Sequence, residues 1–317
     1  MKIIHRIVYT TGIVCLACLS ACNNFDDINT NPDSITKASA SMLCTNIVLS
    51  NMKFNGRDAK AYLEQGGLSK YLGYANESQM NSQYNSFGNS SFDQMTLLPN
   101  IEKMVEYATG TTMENSYKGI AKFSRAYMFY KLTMRMGDIP YSQANKGATG
   151  NYRPTYDTQK DVLLGILDEL KEADAFFANG VNFEGDPTPF AGDPAKWRKA
   201  TNAFALRILM SMSKKESDTS LKLKERFAEI VNSGNLLTEA DGYLGLIYNS
   251  INKHPLSGTN DLFTSRTVLS SLLIDELKSL NDRRLFYFAE PATIKIANGE
   301  SASDMDAYVG VDVSMDY

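Results

Sequence analysis

Apolar residues recur at three- and four-residue spacing along most of the chain, the signature of helices with a buried stripe. The spacing predicts a helix over Thr36–Phe54, with Met42, Leu43, Ile47, Val48 and Leu49 on a broad face. A second runs over Asp58–Leu72 through Tyr62, Leu63 and Leu68, weakened by Gly66-Gly67. A third spans Phe92–Tyr107, with Met95, Leu98, Ile101, Met104 and Val105. The strongest pattern is Met113–Met136. There Tyr117, Ile120, Ala121, Phe123, Tyr127, Met128, Tyr130 and Leu132 cover so much of the surface that burial on more than one side is expected. Gly137 offers a C-cap to it and Pro140 a stop. Asp157 is read as the cap of the next helix, with Val162, Leu163, Ile166, Leu167, Leu170, Ala173 and Phe177 as its stripe. Asp193 caps another, with Pro194 at its first position. Further helices are expected over Ser220–Val231 and Thr267–Leu280, and only Leu244–Tyr248 and Leu285–Phe288 read as short strands. The linking stretches "ANKGATGNYRPT" and "FEGDPTPFAGDP" carry turn chemistry.

The fold class expected is therefore mainly α: antiparallel helix pairs with long irregular loops and little β, stacked like a solenoid. Met113–Met136 and Asp193–Lys214 share small residues amid aromatics and methionine, similar to tetratricopeptide helices, although no clean period of about 34 residues is visible.

The N-terminus departs from this pattern. Lys2, His5 and Arg6 precede an apolar run, Ile7 to Ala17, and then Leu19-Ser20-Ala21-Cys22. That is the order of a secretory signal, and the run is shorter than the ~20 residues that span a bilayer. Leu-Ser-Ala-Cys looks like a bacterial lipobox, which assigns residues 1–21 to a removed signal and Cys22 to lipidation. The alternative is an ordinary signal with a chance cysteine. Residues 22–35 read as a polar, Asn- and Asp-rich tether. Asp26 and Asp27 in it have two readings, an outer-surface export signal or simple solvation. Of the four cysteines, Cys15 and Cys18 lie in the signal and Cys22 would carry lipid, so Cys44 is left alone, read as a buried small hydrophobe. Net charge is −4, so no basic field exists to hold nucleic acid.

Enzymatic motifs are sparse. His254 is the sole histidine after residue 21 and cannot build a multi-His zinc site. There is no Gly-x-Ser-x-Gly elbow and no phosphate-binding Gly-x-x-x-x-Gly-Lys-(Ser/Thr) loop. Acidic pairs abound, but nothing in the sequence selects one. Asp138 reads as a turn or capping carboxylate. No cofactor or metal is expected. A sugar site requires exposed rings beside amide, carboxylate and Arg groups, and loop aromatics of this kind indicate sugar or peptide without choosing between them. "YLGYANESQMNSQYNSFGNSSFD", Tyr71 to Asp93, matches best, with Tyr74, Asn76, Tyr84 and Asn85 as first candidates. The competing reading is a solvated loop pinned by its aromatics. "GNYRPTY" supplies Tyr152 and Arg153 as a second candidate, against a packed loop as its competing reading. Trp197, beside Lys196 and Arg198, reads as structural.

Several blocks carry a family resemblance: "CNNFDDINTNPDSIT", "SRAYMFYKLTMRMGDIPY", "DPAKWRKATNAFALRILMSMS", "SGNLLTEADGYLGLIY" and "DLFTSRTVLSSLLIDELKSLNDRRLFYF". In this order they resemble the SusD/RagB family of outer-membrane nutrient-binding lipoproteins of Bacteroidetes. The resemblance implies a single helical domain over residues 36–317 with a tetratricopeptide-like scaffold. It implies no catalysis. It implies a lipid-anchored protein at the cell surface that captures oligosaccharides, or in some branches peptides, and hands them to a SusC-like TonB-dependent transporter. A lipid-anchored hydrolase and a helical adaptor without a small ligand are the other readings. Two departures stand out. Asp282-Arg283-Arg284-Leu285 replaces the family's Asp-Pro-Arg-Leu, and the family pattern continues beyond Tyr317. The domain is thus read as incomplete at its C-terminus, with apolar surface left uncovered.

Overall fold

A computed structural model describes residues 38–53, 66–67, 69–74, 91–254 and 267–313. The expected signal, Cys22 and the tether lie outside these residues, as does most of the expected Asp58–Leu72 helix. The helices are α1 (Ala40–Met52), α2 (Leu98–Ala108), α3 (Glu114–Met136), α4 (Gln159–Ala178), α5 (Pro194–Ser211), α6 (Leu223–Asn232), α7 (Ser271–Ser279), α8 (Leu285–Phe288) and α9 (Thr293–Ala297). Two three-residue strands, β1 (Leu72–Tyr74) and β2 (Thr267–Leu269), pair antiparallel, with Leu72 opposite Leu269 and Tyr74 opposite Thr267. The fold is mainly α, as the periodicity requires. Among the described residues no helix is long and apolar enough to cross a membrane.

The centre is α3, which packs against α1, α2 and, most extensively, α4; α4 packs on α5, and α5 on α6. Its buried residues, among them Tyr117, Ile120, Phe123, Met128, Phe129 and Leu132, lie all round it, which explains why its apolar pattern wraps the helix. Gly119 lets α4 come close: a Cβ there would sit 2.6 Å from the Phe177 ring. Trp197 of α5 is completely buried. It meets Phe123 edge-on at 5.2 Å and Phe190 at 5.8 Å, and stacks on Phe177 at 6.1 Å. Its structural reading from sequence is the observed one.

The loop "FEGDPTPFAGDP" is wound around one carboxylate. Asp186 accepts hydrogen bonds from Trp197 Nε1 (2.7 Å), Gly192 N (2.8 Å) and Thr188 N (2.9 Å). The Thr45 hydroxyl of α1 donates to Gly185 O at 2.8 Å, and the Tyr117 hydroxyl of α3 to Glu184 O at 3.0 Å. Gly192 (φ +78°) is required here, since a Cβ would fall 1.9 Å from Phe183 O. Asp193 then caps α5 by accepting from Ala195 N at 2.9 Å. Cys44 of α1 is wholly buried nearby, and burial, then the charge of Asp186, pushes its thiol pKa up, so the thiol is inert.

Several local expectations need correction. Thr158, not Asp157, caps α4, accepting from Asp161 N. Asp157 instead turns back to collect Tyr141 N (2.9 Å), Ser142 N (2.7 Å) and the Ser142 hydroxyl (2.8 Å). Leu285–Phe288 is a helical turn, because buried Leu285 packs on Ile274 and Leu277; an apolar run this short has no diagnostic period. Leu244–Tyr248 is irregular. The Thr267–Leu280 stretch divides: β-branched Thr267-Val268 joins β2, and Ser270 caps α7 by accepting from Leu273 N at 3.2 Å. Leu72 ends in β1 rather than in a helix. The Ser220–Val231 helix starts only at Leu223, since Lys222 has φ +49°. In the Asp-Arg-Arg-Leu turn the Asp282 carboxylate accepts from Arg284 N at 2.9 Å, a local cap that replaces the stiffness of proline.

A small second core joins Ile274, Leu277, Leu285, Ala307 and Tyr308. Around it Leu272, Leu280, Tyr287 and Ile294 are exposed, Tyr287 at 88% and Ile294 at 67%. Exposed apolar side chains also occur before residue 267, at Tyr243, Ile247 and Ile251 among others.

Two predictions test these anchors. Asp186→Ala leaves the Trp197 indole and two backbone N–H groups unpaired, so it should cost about 3 kcal/mol in urea unfolding. It should also change the emission of Trp197, the chain's one tryptophan; an unchanged midpoint would contradict this role for the carboxylate. For Asp157, burial raises the pKa, but the N–H and hydroxyl of Ser142, the N–H of Tyr141 and the charge of Lys146 outweigh it and leave it lowered. Its stabilisation is thus complete above the ordinary Asp range near about 4 and is lost as pH falls through the lowered folded value. Asp157→Asn should lower Tm at neutral pH and have a smaller effect in acid; equal decrements at both would refute the assignment.

Candidate ligand-binding site

The GNYRPTY loop leaves the end of α3 and returns to α4. Gly137 (φ +77°) caps α3, and a bridge between Ile139 and Asp157 closes the loop's base. Arg125 fixes the turn beneath it: its guanidinium lies 4.6 Å from the Phe129 ring and 5.0 Å from that of Tyr141, its Nη2 donates to Tyr141 O at 3.0 Å, and its Nε pairs with Glu169 at 2.6 Å. Burial, then the charge of Glu169, raises the Tyr141 phenol pKa. Asp138 accepts from Gln159 N at 2.8 Å, the capping role read from sequence.

Within the loop, Gln143 Oε1 accepts from Asn151 Nδ2 (2.9 Å) and Thr155 N (3.2 Å), and Asn151 Oδ1 accepts from Arg153 N (3.3 Å). Asn151 N donates to Lys146 O at 3.1 Å across the turn that ends at Gly150. A backbone so cross-linked fixes the points from which its side chains leave the loop. It points them outward: Tyr152 is 82% and Tyr156 62% exposed, and Arg153 is exposed too. A packed loop is therefore not what forms around these rings. No hydrogen bond or ion pair joins the Arg153 guanidinium to a described residue.

The other candidate stretch, Tyr71–Asp93, is described only at its ends. Tyr71 O accepts from Ser270 N at 3.0 Å and β1 follows, so the backbone of Tyr74 is fixed against β2. Asn76, Tyr84 and Asn85 lie outside the described residues. At the far end Ser91 donates to Asp93 at 2.8 Å, and the Phe92 ring stands edge-on to Tyr156, with centroids 6.2 Å apart. The two stretches singled out by sequence thus meet at the Phe92–Tyr156 contact. Sequence reasoning missed both of these residues. Phe92 was absorbed into a helix start, and Tyr156 was passed over, although its place after a proline-containing turn is a signal for a displayed ring.

The remaining concavities lie elsewhere. A polar cleft of about 550 Å³ is lined by Asn281, Arg283, Phe286, Ser301, Ser303, Asp304 and Met305. A smaller cavity of about 120 Å³ lies between α4, α5 and α6, edged by the Lys171–Glu229 and Arg226–Asp168 ion pairs. His254 stacks edge-on with Tyr248 at 4.7 Å. Among the described residues no three His, Cys, Asp or Glu side chains gather as a metal site. The exposed loop can bind by ring contact, charge and hydrogen bonding.

Residues 32–317 match the profile of the SusD-like family described as starch-binding and associating with the outer membrane. Two solved SusD homologues of Bacteroides fragilis are similar. One is 38% identical with a TM-score of 0.73, covering 88% of this chain and 58% of the homologue. The other is 30% identical with a TM-score of 0.70, covering 87% and 58%. A chitin-binding protein, 23% identical with a TM-score of 0.61 over 88% of this chain and 61% of that one, shares the fold. No curated protein matches the chain significantly. The chain spans under three fifths of the length of the Bacteroides fragilis homologues. With its helical stack and this matched span, the chain belongs to the SusD-like family.

Proposed function

We propose that the chain is a non-catalytic receptor that binds an oligosaccharide nutrient at the cell surface. In this reading Cys22 carries the lipid that holds it to the outer membrane, with the body facing outward, and a SusC-like TonB-dependent transporter receives the cargo. The observation that carries the proposal is the pair of exposed rings, Tyr152 and Tyr156, on an internally hydrogen-bonded loop that meets Phe92 at the end of an amide-rich stretch. Sugar rings present apolar C–H faces and a rim of hydroxyls. An exposed tyrosine ring covers the face, and amide and Arg groups bind the rim. Holding the rings on a fixed loop reduces the ordering cost of binding. The family's description as starch-binding supports sugar over other cargo, and binding over turnover. Tyr74, Asn76, Tyr84, Asn85 and Arg153 are the side chains assigned to the ligand.

Affinity electrophoresis against a panel of polysaccharides, with peptides as a second panel, tests the cargo. At least one polysaccharide should retard the protein, and Tyr152→Ala with Tyr156→Ala should weaken that binding by about tenfold or more, about 1.4 kcal/mol. Tyr74→Ala with Tyr84→Ala should do the same. Retention unaffected by all four replacements would remove the site, and retention by peptides alone would replace sugar with peptide. For the anchor, palmitate labelling should mark the wild type and spare Cys22→Ser; equal labelling of both would overturn the lipid assignment.

A further inference from the structure

The loop that presents Tyr152 and Tyr156 also presents positive charge, on a protein whose net charge is −4. Between residues 143 and 157 the charged side chains are Lys146, Arg153 and Asp157. Asp157 is occupied: it points into the loop's base and takes two backbone N–H groups and the Ser142 hydroxyl. Its charge serves the fold and also acts on that of Lys146, while Arg153 remains exposed on the rim. The described arginines fall into two groups. Arg125, Arg198 and Arg226 each hold a carboxylate, at 2.6, 2.8 and 2.8 Å, and Arg284 pairs with Asp282, whereas Arg135, Arg207 and Arg283 are exposed with no carboxylate partner among the described residues. Arg153 holds none among the described residues, and its neighbour in the chain is the most exposed ring of the loop. Asp93, beside Phe92, is engaged by the Ser91 hydroxyl.

We propose that this loop selects acidic oligosaccharides, those built from hexuronic acids, with Tyr152 against a sugar face and the Arg153 guanidinium on the carboxylate. The inference rests on the receptor reading above and narrows its cargo. The geometry of a hexuronic acid suits it. The carboxylate projects from the ring edge, so a ring lying on a tyrosine places its charge beside the flank of that tyrosine. A guanidinium fork matches a carboxylate with two parallel N–H···O bonds, which an ammonium cannot reproduce. Lys146 adds attraction at longer range without that directionality.

The test uses the full chain and three probes: hexagalacturonate, maltohexaose and a hexa-glutamate peptide, titrated calorimetrically at low and moderate salt. Hexagalacturonate should bind at least about tenfold more tightly than maltohexaose, and Arg153→Ala should abolish most of that margin by weakening hexagalacturonate far more than maltohexaose. Arg153→Lys should recover only part of it. Tyr152→Ala should weaken both sugars, and the peptide should bind least. Arg153 is exposed, so its replacement leaves the folded chain intact, which an unchanged circular dichroism melt verifies. If the two sugars bind equally and Arg153→Ala changes neither, the acidic preference is wrong while the glycan reading stands. If the peptide binds as well as hexagalacturonate, charge alone attracts the ligand and the sugar-specific inference fails. If no sugar binds under any condition, the receptor reading fails with it.

Discussion

Three donors converge on the carboxylate of Asp186, and much of the helical stack is positioned through them. One is the indole of a tryptophan on α5, and two are backbone groups of the loop that joins α4 to α5. The same loop is fastened to α1 through Thr45 and to α3 through Tyr117. A partly buried carboxylate that accepts several N–H bonds is well compensated for its lost hydration, and it fixes the directions of its donors. The aromatic cluster of Phe123, Phe177, Phe190 and Trp197 can then pack in one arrangement.

Asp157 repeats the device at the other end of α4. It draws the backbone of Tyr141 and Ser142 back toward its own strand-like bridge and leaves the intervening residues as a closed loop. One acidic side chain shapes the core side of the stack and the other shapes the displayed side. In neither case does the carboxylate face outward toward a ligand. Part of the chain's acidic surplus is thus architectural.

How much of this was legible follows from the range of the interactions involved. The long helices and their buried faces were visible, because a 3.6-residue period survives any tertiary context; α3, α4 and α5 appear where the pattern puts them. Cys44 was legible as a packing residue for the same reason, and Trp197 from its place at a helix start beside Lys196 and Arg198. Asp157 was misread as a cap because a capping carboxylate and a loop-closing one have the same sequence neighbourhood, and only the position of Tyr141 and Ser142 separates them. Thr267–Leu269 was absorbed into a helix because its partner is far away in sequence, beyond any local pattern. The two candidate stretches were picked out by composition. Their meeting through Phe92 and Tyr156 was not, since no spacing rule links residues on different loops.

The β1–β2 pairing has a consequence for the order in which the molecule is made. Leu72 cannot find Leu269 until the roughly 200 residues between them have been made, so this clip carries the loop-closure cost of a long-range pair that the local helices do not. Until then the strand that leads into the amide-rich stretch has an unpaired edge while the nascent chain is still growing. A protein that stopped short of β2 would therefore leave the edge of β1 unpaired, open to any passing chain.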